Sequence, residues 1–353
     1  MAAFVCQRTV LAALTGTCDG GSMRVLVIGG TRFLGRRVVE RLYARRDHVL
    51  LVHRSPDSEP AGWVAVDHLY AHRHDLAQHR QTLTDFAPDA VLDTCAMTAA
   101  DVDAVLPVLP DVPTVVLSSQ DVYQAHAALL AGRCDAPVPL TEDSELRRER
   151  YPYRGLNLPE VPDDYSKRDV EDRWLARRAV VLRLPLIYGP HDRQHREDIV
   201  LRRLRAGRNE IPIGAGNLLW TRGHVDDLAT GVIAALDHEA ADGLAVNLGE
   251  PQTLPIRAWL QQILDAAESS AELVTVPDTV LPADLVLTAA PAQHLLVSVT
   301  HAQELFGWAP ADSLERVAES VHWHLKNPPA DARWTNEDST RDDTALRAAS
   351  APA

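Results

Sequence analysis

The sequence predicts an α/β fold: a doubly wound parallel Rossmann sheet with a smaller C-terminal substrate-binding part. Three observations carry that expectation. From Met23 onward, short runs rich in β-branched residues alternate with helical stretches, the pattern of a parallel sheet covered by helices on both faces. The first of these runs ends in a glycine-rich turn that opens a helix. After Gly189 the alternation breaks into Pro- and Gly-containing loops and isolated helices, which sets off the smaller part.

The expected strands, in order, are RVLVIG, HVLLVH, WVAVD, AVLDTC, TVVLSS and AVVLRLPLIYG. Between the first two, the stretch from Gly35 to Arg46 sets Val38, Val39, Leu42 and Tyr43 on one helical face. That completes a βαβ unit of the length that dinucleotide binders use. Residues 23–187 form the sheet domain, with 225–250 returning to it, and Ala245 to Gly249 supply the returning strand. Residues 188–224 and 251–326 form the substrate-binding part, with helices at Ile256 to Ala267 and Leu314 to Leu325. Residues 1–22 are expected to be an extension ahead of a folded domain that begins at Met23. Residues 327–353 have no sustained apolar period and read as a flexible tail.

A chain of 353 residues with 46% hydrophobic content has enough apolar material for a core. Its net charge of -14 argues against nucleic acid or an anionic membrane as a partner, because phosphate binding needs a basic surface. A small-molecule substrate fits better. Cys6, Cys18, Cys95 and Cys134 are widely separated, without a CxxC pair, so neither a metal site nor a disulfide framework is expected and a reducing, cytoplasmic location follows. No apolar run approaches the roughly 18 residues that cross a bilayer. The first residues match a signal peptide poorly.

In GGTRFLG, Gly29 falls at the tight turn and Gly35 where helix and strand must pack closely, with Thr31, Arg32, Phe33 and Leu34 between them. Arg32 stands where a glycine would let backbone approach a pyrophosphate. Nicotinamide cofactors are told apart by charge at the end of the second strand, where an acid pairs with a ribose hydroxyl and a base accepts a 2'-phosphate. His53 and Arg54 occupy that end, and with Arg32 they favour NADP over NAD.

Over about Met23 to Pro328 the chain resembles the extended short-chain dehydrogenase/reductase family, of the NAD-dependent epimerase/dehydratase type. GGTRFLG looks like the cofactor loop, in an Arg-containing variant similar to that of the chloroplast stem-loop-binding group. The resemblance puts Asp75 and Leu76 beside the adenine, Cys95 and Ala96 under the cofactor, and the backbone at Pro185 in LRLPLIYGP against the nicotinamide. SSQDVY resembles the family's strand end whose catalytic hydroxyl maps onto Ser119. RGHVDDLA and VTHAQELFGWAP are similar to two later family segments.

Two departures limit what the resemblance implies. The family places a Lys four residues after its catalytic Tyr, so that the cation lowers the phenol pKa. Here the helix reads DDYSKRDVED: a Lys-x-x-x-Glu register matches Lys167 and Glu171 but puts Asp163 at the Tyr position. Tyr165 and Lys167, two residues apart, would lie about 200° apart on an ideal helix. They cooperate only if Tyr165 precedes the regular helix, and Asp163 and Asp164 suit such an N-terminus. On the substrate side, the Arg and Asn with which nucleotide-sugar enzymes assist a diphosphate are replaced by Trp220 and Leu186, with Arg222 as a displaced cation. This implies a less charged, more apolar substrate than a nucleotide sugar.

The expected function is therefore an NAD(P)-dependent oxidoreductase, epimerase or dehydratase acting on a small hydroxy or keto compound. Ser119 would hold the reacting oxygen, Tyr165 would move its proton, and Lys167 would bind the ribose and tune the phenol. The alternative is a cofactor-binding relative without hydride transfer, serving as a sensor, scaffold or non-redox enzyme. A homodimer is compatible with either.

Overall fold

A computed structural model describes residues 22–56, 63–238, 243–330 and 333–349. In chain order its strands are β1 (Arg24–Ile28), β2 (His48–His53), β3 (Asp67–Tyr70), β4 (Ala90–Asp93), β5 (Thr114–Ser119), β6 (Ala179–Leu184), β7 (Leu186–Tyr188), β8 (Glu210–Ile213), β9 (Arg222–His224), β10 (Leu244–Asn247) and β11 (Glu272–Thr275). Its α-helices are α1 (Phe33–Ala44), α2 (Arg80–Phe86), α3 (Ala99–Val105), α4 (Gln124–Leu130), α5 (Lys167–Trp174), α6 (Asp198–Arg205), α7 (Val225–Asp237), α8 (Ile256–Ala266), α9 (Thr300–Phe306), α10 (Ser313–Lys326) and α11 (Asn336–Ala349).

Seven strands form the central sheet in the order β10-β6-β5-β4-β1-β2-β3, all neighbours parallel. The continuous apolar runs of the sequence follow from this arrangement, because each inner strand is covered on both faces. On one face Val38, Val39 and Leu42 of α1 and Leu228 and Val232 of α7 pack against Val25, Val27 and Leu182. On the other, Leu76, Val102, Val170 and Trp174 pack against Leu26, Ile28 and Val181. The strand order reverses between β1 and β4, and ligands of such sheets bind in the crevice outside the strand ends at that point.

The third strand differs from expectation. Residues 63–66 lie outside the ladder, and β3 begins at Asp67, paired with Leu50 of β2. Trp63, Val64 and Val66 instead lay half-buried side chains on the core. Apolar packing there does not require strand pairing.

The smaller part contains the parallel pairs β8 with β11 and β7 with β9. Its own core joins Val200 and Leu201 of α6, Trp259 and Leu260 of α8, and Val317 and Val321 of α10.

The flexible tail expected over 327–353 is corrected for residues 336–349, which form α11 and bury Asp342 and Ala345. Asp342 meets Arg203 at 2.9 Å, each with a side chain only 1% exposed, and Asp338 meets Arg202 at 2.8 Å. Charge holds this helix where an apolar stripe was looked for. Of the N-terminal extension only Ser22 is among the described residues; its hydroxyl donates to the Arg46 carbonyl at 2.7 Å. Among the described residues no helix is long and apolar enough to cross a membrane.

Candidate active site

The turn after β1 lies at the sheet's reversal point. Gly29 and Gly30 have φ of 85° and 96°, which side-chain-bearing residues rarely adopt. A Cβ on Gly35 would come within 2.6 Å of the Gly30 Cα, so the helix can approach the strand only with glycine there. Arg32 is the N-cap of α1, with φ -132° and ψ 148°, extended backbone open to any residue. That backbone conformation tolerates a side chain at the middle position of the fingerprint. No side-chain cap hydrogen bond closes α1, which leaves its first-turn N–H groups for an anion. This cradle fits the pyrophosphate of a dinucleotide.

The Arg32 side chain, 53% exposed, turns outward to Glu160 at 3.4 Å, and Arg193 reaches the same carboxylate at 3.1 Å. Glu160 thus ties the phosphate loop to the segment after β7. At the end of β2, His53 is buried, with Nε2 2.8 Å from His68 Nδ1 and its ring edge-on to Tyr70. Arg54 beside it is exposed. Asp75 is exposed, whereas Leu76 is fully buried in the core.

Beyond β4, the buried Asp93 carboxylate accepts from the Cys95 and Ala96 amides at 3.2 Å and pairs with Arg73 at 2.7 Å. Arg73 also donates to Cys95 Sγ at 3.4 Å. Burial pushes the Cys95 thiol up to about 11, which keeps it protonated at neutral pH. The Asp93–Arg73 pair shapes the floor under Cys95 and Ala96, and sequence reasoning missed it.

Helix α5 begins at Lys167 with Ser166 as its N-cap, the Ser166 hydroxyl accepting from the Asp169 amide at 3.1 Å. Tyr165 therefore sits in the turn before the helix, its amide bonded to the Pro162 carbonyl at 3.0 Å. The wide angle expected of two residues on one helix does not apply. Tyr165 donates its hydroxyl to Asp121 Oδ2 at 2.9 Å, and Tyr153 donates to the same atom at 3.0 Å. The Asp121 amide in turn donates to Ser119 Oγ at 3.1 Å, which gathers Ser119, Asp121, Tyr153 and Tyr165 beyond β5. Burial, and then the Asp121 charge, hold the Tyr165 phenol well above its ordinary range.

The Lys167 ammonium donates to the carbonyls of Ala96 at 2.7 Å and Leu117 at 2.9 Å, and burial draws its pKa down. The expected tuning of the phenol by this lysine is corrected: burial and Asp121 dominate at Tyr165, and they act in the opposite direction. Asp163, at the family's tyrosine register, is exposed and accepts from the Gly155 amide at 3.0 Å. Glu171 is structural, accepting from Ser118 at 2.6 Å and paired with Arg183 at 2.9 Å.

Leu186, Trp220 and Arg222 line one cavity of about 490 Å³, together with Trp259 and Ile256. Trp220 meets the ring of His126 edge-on at 5.7 Å, and the Asp121 charge acts on that ring, so the cavity wall abuts the group around Asp121. Burial pulls His126 down to about 4, leaving it neutral. Arg196, Arg202, Arg222 and Arg333 also line the cavity, so charge stands beside the apolar surface of Trp220 and Leu186.

A sheet of this order, with an uncapped helix at its reversal point and a hydroxyl group cluster just past β5, defines a dinucleotide-binding α/β protein of the Rossmann class. The model of the NAD dependent epimerase/dehydratase family matches residues 25–107 and 162–249 of this chain. The chain is similar to 2'-dehydrokanamycin reductase of Streptomyces kanamyceticus, 28% identical over 72% of this chain and 70% of that protein. It is also similar to chloroplast stem-loop binding protein of 41 kDa b of Arabidopsis thaliana, 25% identical over 85% of this chain and 78% of that protein. A third relative is 2-alkyl-3-oxoalkanoate reductase of Stenotrophomonas maltophilia (strain K279a), 29% identical over 69% of this chain and 76% of that protein. Among solved structures, dTDP-glucose 4,6-dehydratase from Bacillus anthracis str. Ames in complex with NAD superposes with a TM-score of 0.64. At 17% identity over 87% of this chain and 98% of that one, this likeness shows the fold alone.

Proposed function

We propose that the protein is an NADP-linked oxidoreductase that reduces the carbonyl of a small compound other than a nucleotide sugar. The observation that carries this reading is the protonated phenol of Tyr165, held beside Ser119 by the Asp121 carboxylate. When bound, the nicotinamide supplies the hydride.

Ser119 Oγ orients the substrate oxygen, and Tyr165 exchanges its bond to Asp121 for one to that oxygen and gives up its proton. The raised phenol stays protonated through the neutral range and gives its proton to the alkoxide as that forms. Oxidation of an alcohol would need the phenolate, which burial and Asp121 disfavour. At neutral pH the resting phenol already carries the proton that reduction consumes, and solvent restores it after turnover; two relatives are named as reductases. The exposed Arg54 after β2 supports NADP, and Trp220 and Leu186 in place of an Arg and an Asn support a substrate other than a nucleotide sugar.

The commitment of Lys167 to two backbone carbonyls favours the second reading, a cofactor-binding protein without hydride transfer. Loss of nicotinamide absorbance in NADPH-containing mixtures with a panel of small ketones and aldehydes tests the first. Turnover of any member supports it, and inertness toward all of them despite NADPH binding supports the second.

A further inference from the structure

The charges on the wall of the 490 Å³ cavity do not cancel. Arg196 is paired with Asp192 at 2.8 Å, and Arg202 with Asp338 at 2.8 Å. The cavity's two aspartates are also spoken for, Asp198 by Arg205 and Asp284 by Arg203. Among the described residues this leaves Arg222 and Arg333 on the cavity with no carboxylate partner within ion-pair distance.

Arg222 is the more telling of the two. It is 2% exposed, its guanidinium donates to the carbonyls of Trp220 and Leu254 at 3.1 Å, and it lies 4.8 Å from the ring of Trp259. Carbonyls and a ring face solvate a cation without neutralising it. Glu250 acts on Arg222 through space, but it accepts from the Tyr188 hydroxyl at 2.7 Å, and burial tilts it toward its protonated form. A buried cation left in this state is costly, and an anion arriving in the cavity offsets that cost. Arg333, exposed, adds a second charge from the C-terminal segment, and the Trp220 and Trp259 rings supply apolar surface.

We propose that this cavity is the substrate's anion site: it takes a carboxylate or phosphate carried on a small apolar body, bound by Arg222 and Arg333. The word substrate rests on the oxidoreductase reading; the binding of the anion does not.

The test uses the full chain saturated with NADP and follows tryptophan fluorescence during titration with benzoylformate, phenyl phosphate and neutral acetophenone. Saturable binding of at least one anion, tenfold or more tighter than acetophenone, is expected. Which anion binds tells a carboxylate from a phosphate site. Arg333→Gln, an exposed change, should weaken that binding severalfold, and Arg222→Gln should weaken it by tenfold or more with NADP affinity retained. Anions that bind no better than acetophenone, or that bind Arg333→Gln and a folded Arg222→Gln as tightly as the parent, overturn the proposal. Reduction of acetophenone without anion binding would sink the anion site and leave the reductase reading standing. Anion binding without reduction of any carbonyl would do the reverse.

Discussion

Tyr165 gives its hydroxyl hydrogen bond to the Asp121 carboxylate, at 2.9 Å. A carboxylate beside a phenol opposes its ionisation, whereas a nearby ammonium would favour it. The consequence is a phenol that keeps its proton well above neutral pH. Asp121→Asn removes the negative charge, so the Tyr165 pKa should fall and the alkaline limb of the reduction rate should move to lower pH. A pH profile of kcat that is superimposable on the parent's would contradict this. Tyr165→Phe should lower turnover by roughly 10² to 10⁴ while cofactor affinity is retained.

The two arginines that the sequence offers to a 2'-phosphate are not equivalent. Arg32 is engaged with Glu160 at 3.4 Å, and Arg54 is exposed at the end of β2. Arg54→Ala should therefore cost on the order of 1 to 3 kcal/mol in NADPH binding with NADH affinity unchanged. Arg32→Ala, which breaks an exposed pair, should cost less than about 1 kcal/mol. Titration of both dinucleotides against both variants checks the assignment; equal affinity of the parent for NADPH and NADH would defeat it.

Glu197 is fully buried, and burial pushes its carboxyl up to about 7 from 4.5; the Ser320 hydroxyl donates to it and His324 Nε2 lies 3.3 Å from its other oxygen. Between those two values the native state keeps a proton that the unfolded chain releases, so this group's contribution to stability falls as pH rises and levels off above about 7. Glu197→Gln should remove that slope, gaining on the order of a few kcal/mol relative to the parent near pH 8 and little near pH 4.5. His126 works in the other direction. Burial lowers it to about 4 from 6.5, so its contribution is present above 6.5 and is lost as pH falls toward 4. Denaturant midpoints of parent and Glu197→Gln across this range measure the first slope directly, and parallel curves would refute it.

What could be read in the sequence, and what could not, follows from how each element is held. β1, β2, β4, β5 and β6 were legible because burial on both faces makes their runs apolar throughout. β3 was misplaced because it is an edge strand whose residues, DHLY, are half polar, while the apolar run WVAV just before it packs without pairing. The position of Tyr165 ahead of α5 could be inferred from its spacing to Lys167, although the cap is Ser166 and not either preceding Asp. Asp121 lies inside SSQDVY, where a carboxylate carries no signal of its own beside the Ser and Tyr of the motif. Tyr153 had no signal at all: it belongs to an irregular loop, and only the path of that loop brings its hydroxyl to Asp121.

The C-terminal helix makes the same point through charge. Asp342→Ala takes one of two carboxylates from the buried Arg203, which keeps Asp284 at 2.7 Å, so the cost should fall below the roughly 3 to 5 kcal/mol of stranding a buried charge. Asp342→Ala should lower the melting temperature by several degrees. Because Pro329 and Arg333 on the same segment line the cavity, ligand protection against unfolding should weaken as well. An unchanged melting temperature would mean that α11 contributes nothing to the fold.

The central claim is that a hydride reaches a carbonyl carbon beside Ser119 and Tyr165. The most direct measurement supplies NADPH deuterated at the transferable position of the nicotinamide, with whichever small carbonyl compound is consumed, and locates the label by mass spectrometry. The account predicts one deuterium on the carbinol carbon of the product, formed by the parent and strongly reduced in Tyr165→Phe. Tight NADPH binding with no deuterium in any product, or label transfer undiminished in Tyr165→Phe, would contradict it.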